Sequence, residues 1–209
     1  LFLRFPSVYA RTAIVGLESW IVRFTKKTRT IHVTRGPDLR SETINKLKQI
    51  RDTLPEYLWP KNTQDPDNQI SFGCFDAGTK LICAIGQNNE PAANGVGRGL
   101  TASRLFCDEG PFTKNIQHIL PAALASGSTE RLRHARKGIP NGNVFATTAG
   151  DLASPEGAYM YSLFTSGITW DELYLDVPTR KDLIEMIRKQ ATSEQARDLF
   201  YIKFNHRQL

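Results

Sequence analysis

Apolar residues recur three and four positions apart in several windows of the chain, and between these windows lie short, nearly continuous apolar runs. Ile14, Leu17, Ile21 and Phe24 predict a helix over residues 12–24 that buries one face. Ile44, Leu47, Ile50 and Leu54 repeat the pattern in a second helix that Pro55 stops. Ile116, Ile119, Leu120 and Leu124 mark a third. Shorter helical patterns cover 158–164, 181–189 and 193–199, the last with a capping box formed by Thr192 and Gln195. The apolar runs at 1–5, 30–34, 103–107, 144–148 and 173–177 read as strands. A hairpin is predicted from 70–75 and 79–85 around Asp76-Ala-Gly78. Residues 58–68, the Gly/Asn-rich stretch 86–99 and the basic stretch 131–137 read as connections.

Strands alternating with helices predict an α/β domain with a mainly parallel sheet covered on both faces. At 209 residues the chain is long enough for one such domain with a buried core, and no second domain or internal repeat stands out. No apolar run reaches the roughly 18 residues that a membrane-spanning helix needs, and the segment beginning at Leu1 lacks the layout of a secretion signal. The chain reads as a fragment or an excised domain. Its formal charge of +6 suits a polyanionic partner without requiring one. Cys74, Cys83 and Cys107 form no CxxC pair and no metal-ligand spacing, so they read as reduced core cysteines.

Two strand ends carry candidate chemistry. Leu105-Phe-Cys-Asp108-Glu109-Gly110 delivers two adjacent carboxylates at the carboxyl end of an apolar strand. In an open α/β sheet, ligands bind beyond those ends. There the first carboxylate suits Mg²⁺ and the second suits a water attacking a phosphate. An acidic turn after a strand is the plainer alternative, and a motif this short is common by chance. Val144-Phe-Ala-Thr147-Thr148-Ala-Gly150 ends a neighbouring strand in two hydroxyls, which suit a γ-phosphate or its water, or simply a turn. His118 and the tryptophans Trp20, Trp59 and Trp170 show no catalytic or stacking pattern and read as packed side chains. The basic residues 131–137 suit either a solvated connection or a DNA backbone.

The order of these features between Thr34 and Gly150 resembles the large terminase subunits of tailed phages. A strand leads into Gly36-Pro37-Asp38-Leu39 and a helix ending Asp52-Thr-Leu-Pro55-Glu-Tyr57. The hairpin carries an Asp-Ala-Gly-Thr turn, Gly97-Arg98-Gly99 precedes Asp108-Glu109 by about ten residues, and Thr147-Thr148 closes the series. The resemblance implies a P-loop NTPase-like, three-layer α/β/α domain spanning residues 1–209, without the nuclease domain of such proteins. It implies an ATP hydrolase that uses ATP and Mg²⁺ to drive double-stranded DNA into a procapsid. The partners would be a portal protein, a small terminase subunit and copies of itself in a ring, in the host cytoplasm and without a membrane.

By position, Asp108 would serve the metal, Glu109 catalysis and Thr147 and Thr148 coupling, while Arg98 would be an arginine finger for a neighbouring subunit. The phosphate loop would fall at Pro6-Ser-Val-Tyr-Ala10-Arg11-Thr12, where the family has a form close to Pro-Arg-Gln-x-Gly-Lys-Thr. Ala10 and Arg11 would then line the phosphates, and Thr12 would add a hydroxyl to the metal. Ala10 replaces the glycine and Arg11 the lysine. A nucleic-acid helicase core and a non-hydrolysing ATPase-like adaptor on DNA or portal are the alternative readings.

Overall fold

The computed structural model describes residues 2–4, 7–98, 101–191 and 200–203. Its strands are β1 (Phe2–Arg4), β2 (Arg29–Thr34), β3 (Ser71–Cys74), β4 (Thr79–Ile85), β5 (Arg104–Asp108), β6 (Gly142–Ala146), β7 (Ile168–Thr169) and β8 (Phe200–Lys203). Its helices are α1 (Ser7–Phe24), α2 (Pro37–Thr53), α3 (Glu90–Arg98), α4 (Ile116–Arg136), α5 (Pro155–Thr165) and α6 (Arg180–Gln190). Among the described residues the strands form one sheet in the order β3-β4-β2-β5-β6-β1-β8-β7. Every pairing is parallel except the hairpin β3–β4 at the edge, so the α/β layering with an added hairpin holds. At the hairpin turn Gly78 takes φ +65° and donates its N–H to Phe75 O at 2.9 Å, a conformation cheap only for glycine.

Alternation along the strands sorts the core into layers. Ile31, Val33, Leu105, Cys107 and Phe145 pack under α3, α4 and α5 through Ala93, Ile116, Ile119, Leu120 and Met160. On the opposite face Phe106 and Ala146 meet Ile14 of α1, while Val15 and Val22 join Ile44 and Leu47 of α2 against β3 and β4. The three cysteines are buried and free, as expected.

Charge fixes α1 over β5. Arg11, Ile14 and Glu18 fall along one face of the helix and meet Asp108, Phe106 and Arg104, the residues of β5 that point to that side. The two ends carry opposite polarity. Arg11 Nε donates to Asp108 Oδ2 at 2.6 Å, and Arg104 Nη2 donates to Glu18 Oε1 at 2.9 Å, all four side chains buried. A slide of one helical turn would leave these buried charges without their partners, so the pairs hold α1 in register with the strand end.

Several expectations need correcting. The first helix begins at Ser7, so Ala10, Arg11 and Thr12 lie in helix and not in a phosphate-wrapping loop. Only residues 5 and 6 separate β1 from it, and no glycine or proline in 7–12 breaks the helix. Its buried stripe includes Arg11, Glu18 and Ser19, so Leu17, Trp20 and Phe24 are rotated into solvent, Trp20 being 52 % exposed. Trp59 is buried as expected.

The stretch 86–99 contains α3. Asn89 Oδ1 caps it by accepting from Ala92 N at 2.9 Å, Pro91 sits in its first turn, and the fully buried Ala93 packs in the core under α4, which outweighs the low propensity of glycine and asparagine. The basic stretch 131–137 continues α4 through Arg136, and His118 is half-buried on that helix with Nδ1 3.5 Å from Glu90 Oε1. In place of a strand at 173–177 there is a 3₁₀ turn, Glu172–Leu175, opened by Asp171 accepting from Leu173 N. Leu173 and Leu175 are exposed, and the strand of this region is β7 instead. The predicted helix 193–199 and its Thr192–Gln195 box lie outside the described residues.

Candidate functional site

β5 is a fully buried strand between β2 and β6, and its carboxyl end is where the two carboxylates emerge. Consecutive residues of a strand point to opposite faces, so Asp108 and Glu109 would diverge if the strand continued. It does not. Glu109 adopts the left-handed conformation, φ +53° and ψ +47°, and starts the 3₁₀ turn Gly110–Phe112. That reversal lets one guanidinium reach both carboxylates: Arg11 Nε is 2.6 Å from Asp108 Oδ2 and Nη2 is 3.3 Å from Glu109 Oε1. Left-handed backbone costs a residue with a Cβ about 1–2 kcal/mol, and such strain collects at functional sites.

Neighbouring groups hold Glu109 from several sides. Its N–H donates to Ala146 O at 3.0 Å, and its carbonyl accepts from Phe112 N at 3.0 Å and Thr113 Oγ1 at 3.1 Å. Arg35, just beyond β2, places Nη1 3.4 Å from Glu109 Oε2 as an ion pair without hydrogen-bond geometry. Glu42 of α2 accepts from Arg11 Nη1 at 3.4 Å and pairs with Lys46 at 2.8 Å. The site thus gathers a buried arginine, an exposed one and three carboxylates.

Asp108 is 0 % exposed, and its Oδ1 has no hydrogen-bond partner. Burial pushes its carboxyl up to about 6, against the pull of Arg11 and with a smaller push from Glu109. Next to it His32 is fully buried, edge-on to Phe106 at 4.4 Å between ring centroids, with both ring nitrogens unpartnered. Burial, and then the charge of Arg11, push its imidazole down to about 3, so it stays neutral and is no proton store near neutral pH.

The register Asp108↔Ala146 places Thr147 and Thr148 directly beside the Glu109 turn. Thr147 Oγ1 donates to Thr148 O at 2.8 Å. Both threonines line a largely apolar cavity of 190 Å³ with Pro111, Gly150 and Met160. Packing here is tight, since a Cβ on Gly150 would lie 2.2 Å from Pro111 Cβ. The Thr147–Gly150 segment and the Glu109 turn therefore touch through backbone and ring, with little room to move independently.

Of the residues singled out in sequence, Arg11, Asp108, Glu109, Thr147 and Thr148 come together at one end of the sheet. Thr12 is exposed on α1 one residue after Arg11, and Ala10 precedes it in the same helix. Arg98 does not join them. It is the last residue of α3, which leaves the carboxyl end of β4 and returns to the amino end of β5, so it is exposed toward the other end of the sheet. Sequence reasoning passed over Arg35, Glu42 and His32. Arg35 had a usable signal, a charged residue directly after a parallel strand; Glu42 and His32 had none, being an ordinary helix glutamate and a strand histidine.

Among the described residues no group of three or more histidine, cysteine, aspartate or glutamate side chains forms a metal cage, and no helix is long and apolar enough to cross a membrane. Asp108 Oδ1, buried and without a hydrogen-bond partner, is an oxygen of the kind that suits a hard cation keeping most of its waters.

No family model matches the chain, and no curated protein matches it. Solved structures do resemble it. The large terminase of bacteriophage HK97 aligns with 77 % of this chain at 11 % identity and a TM-score of 0.47; the chain spans 31 % of that protein's length. The ATPase domain of the large terminase of Thermus phage P74-26 aligns with 96 % of this chain at 11 % identity and a TM-score of 0.46, the match covering 72 % of that domain.

Proposed function

We propose that this chain is the ATPase motor domain of a viral large terminase, an enzyme that hydrolyses ATP to move double-stranded DNA into a procapsid. The observation that supports it best is the Arg11–Asp108–Glu109 cluster at the carboxyl end of β5, beside the Thr147–Thr148 strand end. In this reading the first-turn amides of α1, as far as Ala10, meet the phosphates, because a helix start leaves its N–H groups free and carries positive potential. Arg11 leaves the carboxylates for the β- and γ-phosphates. Asp108, through its free Oδ1, and Thr12 hold Mg²⁺, which when bound neutralises charge on those phosphates.

Glu109 orients the attacking water and accepts its proton, so its position after a strained turn is part of the mechanism. Thr147 and Thr148 respond to loss of the γ-phosphate and pass the change through Pro111 and Gly150 to α5. The location of Arg98 at the far end of its own sheet favours action on the nucleotide of a neighbouring subunit in a homo-oligomeric ring. Portal protein and a small terminase subunit complete the set of partners, in the host cytoplasm.

Mixing Arg98→Ala with Glu109→Gln protein tests this. Assembled rings should regain part of the turnover that each variant lacks, because some interfaces then pair an intact arginine with an intact glutamate. Absence of rescue in rings shown to be mixed would sink the trans role. The two-residue gap between β1 and α1, and an Arg11 already occupied by both carboxylates, favour a second reading: an ATPase-like adaptor that does not hydrolyse. Calorimetry separates the two, since the adaptor shows no uptake of Mg-ATP.

A further inference from the structure

At the end of the sheet opposite Asp108 and Glu109 there is a second concave site that the proposed ATPase does not use. It is a cleft of 370 Å³ whose walls include Lys27, Arg29, Ser103, Glu130, Arg133 and His134. These residues come from three separate segments: the α1–β2 connection with the first residue of β2, the approach to β5, and the last turns of α4. Three cations face one carboxylate, and that carboxylate is already engaged, with Glu130 Oε2 3.0 Å from Arg133 Nη2. Lys27 and Arg29 make no ion pair among the described residues.

The cleft is built and not merely a scatter of surface charge. Lys27 is fixed at the rim in the left-handed conformation, φ +56°, by its N–H to Ala77 O at 2.9 Å, and the returning chain is tied by Lys80 N to Thr28 O at 3.0 Å. His134 is 3 % exposed and lines the cleft; its Nδ1 is 2.8 Å from the Glu130 carbonyl oxygen. A carbonyl only accepts, so Nδ1 carries the proton and Nε2 is the nitrogen left for a ligand or its water. A basic last turn is ordinary at a helix C-terminus, where it offsets the negative end of the dipole. That accounts for Arg133 and His134 but not for Lys27 and Arg29, which belong to another segment.

We propose that this cleft is a phosphate-binding site that holds the backbone of a nucleic acid. The chemistry of the walls selects an oxyanion. The extent of the basic surface selects a chain of them over a single ion: Lys26 adjoins Lys27, and Arg136 and Lys137 continue past Arg133 at the same end of the fold. The proposal deepens the motor reading by giving it a place to hold DNA, but the cleft is separate from the carboxylates and DNA binding is measured without ATP turnover, so the two fail separately.

The test is binding of a fluorescent double-stranded DNA oligonucleotide across a salt series, with wild type, Lys27→Gly/Arg29→Gln and Lys181→Gln/Lys189→Gln. Glycine suits the backbone at position 27, so the first variant keeps its fold, which thermal unfolding and an unchanged circular dichroism spectrum would verify. Each lost phosphate contact removes about 0.9 from the slope of log affinity against log salt, so the cleft variant should lose about 2 in slope and at least about tenfold in affinity at moderate salt. The α6 variant, which removes the same charge elsewhere, should match wild type. Equal losses in the two variants, or none in either, would overturn the proposal. So would loss of inorganic phosphate binding, read from the His134 ring proton shifts, with DNA affinity unchanged, because the site would then serve a free anion.

Discussion

Replacing Asp108 with asparagine should stabilise the fold at neutral pH and leave it unchanged in acid. Asp108 is wholly buried, and its carboxyl is pushed from an ordinary value of 3.8 up to about 6, chiefly by burial. Between those two values the folded protein binds this proton more tightly than the unfolded chain does. The unfolding free energy therefore falls as pH rises through that window, and the loss is complete above about 6. At about 1.4 kcal/mol per pH unit, the ionised side chain costs the fold on the order of 3 kcal/mol at neutral pH. That figure is already net of the attraction to Arg11, which acts on the same group. Asparagine keeps an oxygen that accepts from Arg11 Nε and never ionises. Urea unfolding of wild type and Asp108→Asn at about pH 4 and about pH 7.5 measures the effect as a difference of differences. The variant's advantage should grow by about 2–3 kcal/mol from acid to neutral pH. An advantage that is the same at both, or a variant less stable at neutral pH, would refute the reasoning.

Two further substitutions probe the turn behind this carboxylate. Glu109→Gly should be about 1 kcal/mol more stable than Glu109→Ala, because both lose the ion pairs but only glycine relieves the left-handed backbone at φ +53°; equal unfolding midpoints would remove the strain argument. Gly150→Ala places a Cβ 2.2 Å from Pro111 Cβ and should cost about 1–3 kcal/mol in denaturant unfolding, with slower turnover, whereas neutrality in both assays would show that this contact yields easily.

The sheet and the carboxylate strand were legible because their signals are local. A short apolar run ending in Asp108-Glu109, and another ending in Thr147-Thr148, need no partner to be read, and they do lie side by side. The face of α1 was not legible, because counting apolar residues omits Arg11 and Glu18. Both are buried only because β5 supplies Asp108 and Arg104, a match invisible along one strand of sequence. The start of α1 was set late because its apolar repeat is counted from Ile14, whereas the helix runs back to Ser7. Helix α3 was hidden by glycines and asparagines whose low propensity is offset by the Asn89 cap and by burial of Ala93 in the core under α4. Glu42 reaches the site through α2, from a distance of 31 residues to Arg11, and nothing in its local sequence announces that.

The central claim is that Glu109 acts on the water that attacks ATP, within a site whose ground-state contacts to nucleotide come from α1 and Asp108. Glu109→Gln keeps the shape of the side chain and removes its basicity. Mg-ATP turnover and the affinity for a fluorescent ATP analogue, measured on the same preparations of wild type and variant, separate the two roles. Turnover should fall by roughly 10²–10⁴-fold while affinity stays within a few-fold, as for loss of a positioned general base. Full turnover in the variant would remove Glu109 from the chemistry and contradict the account.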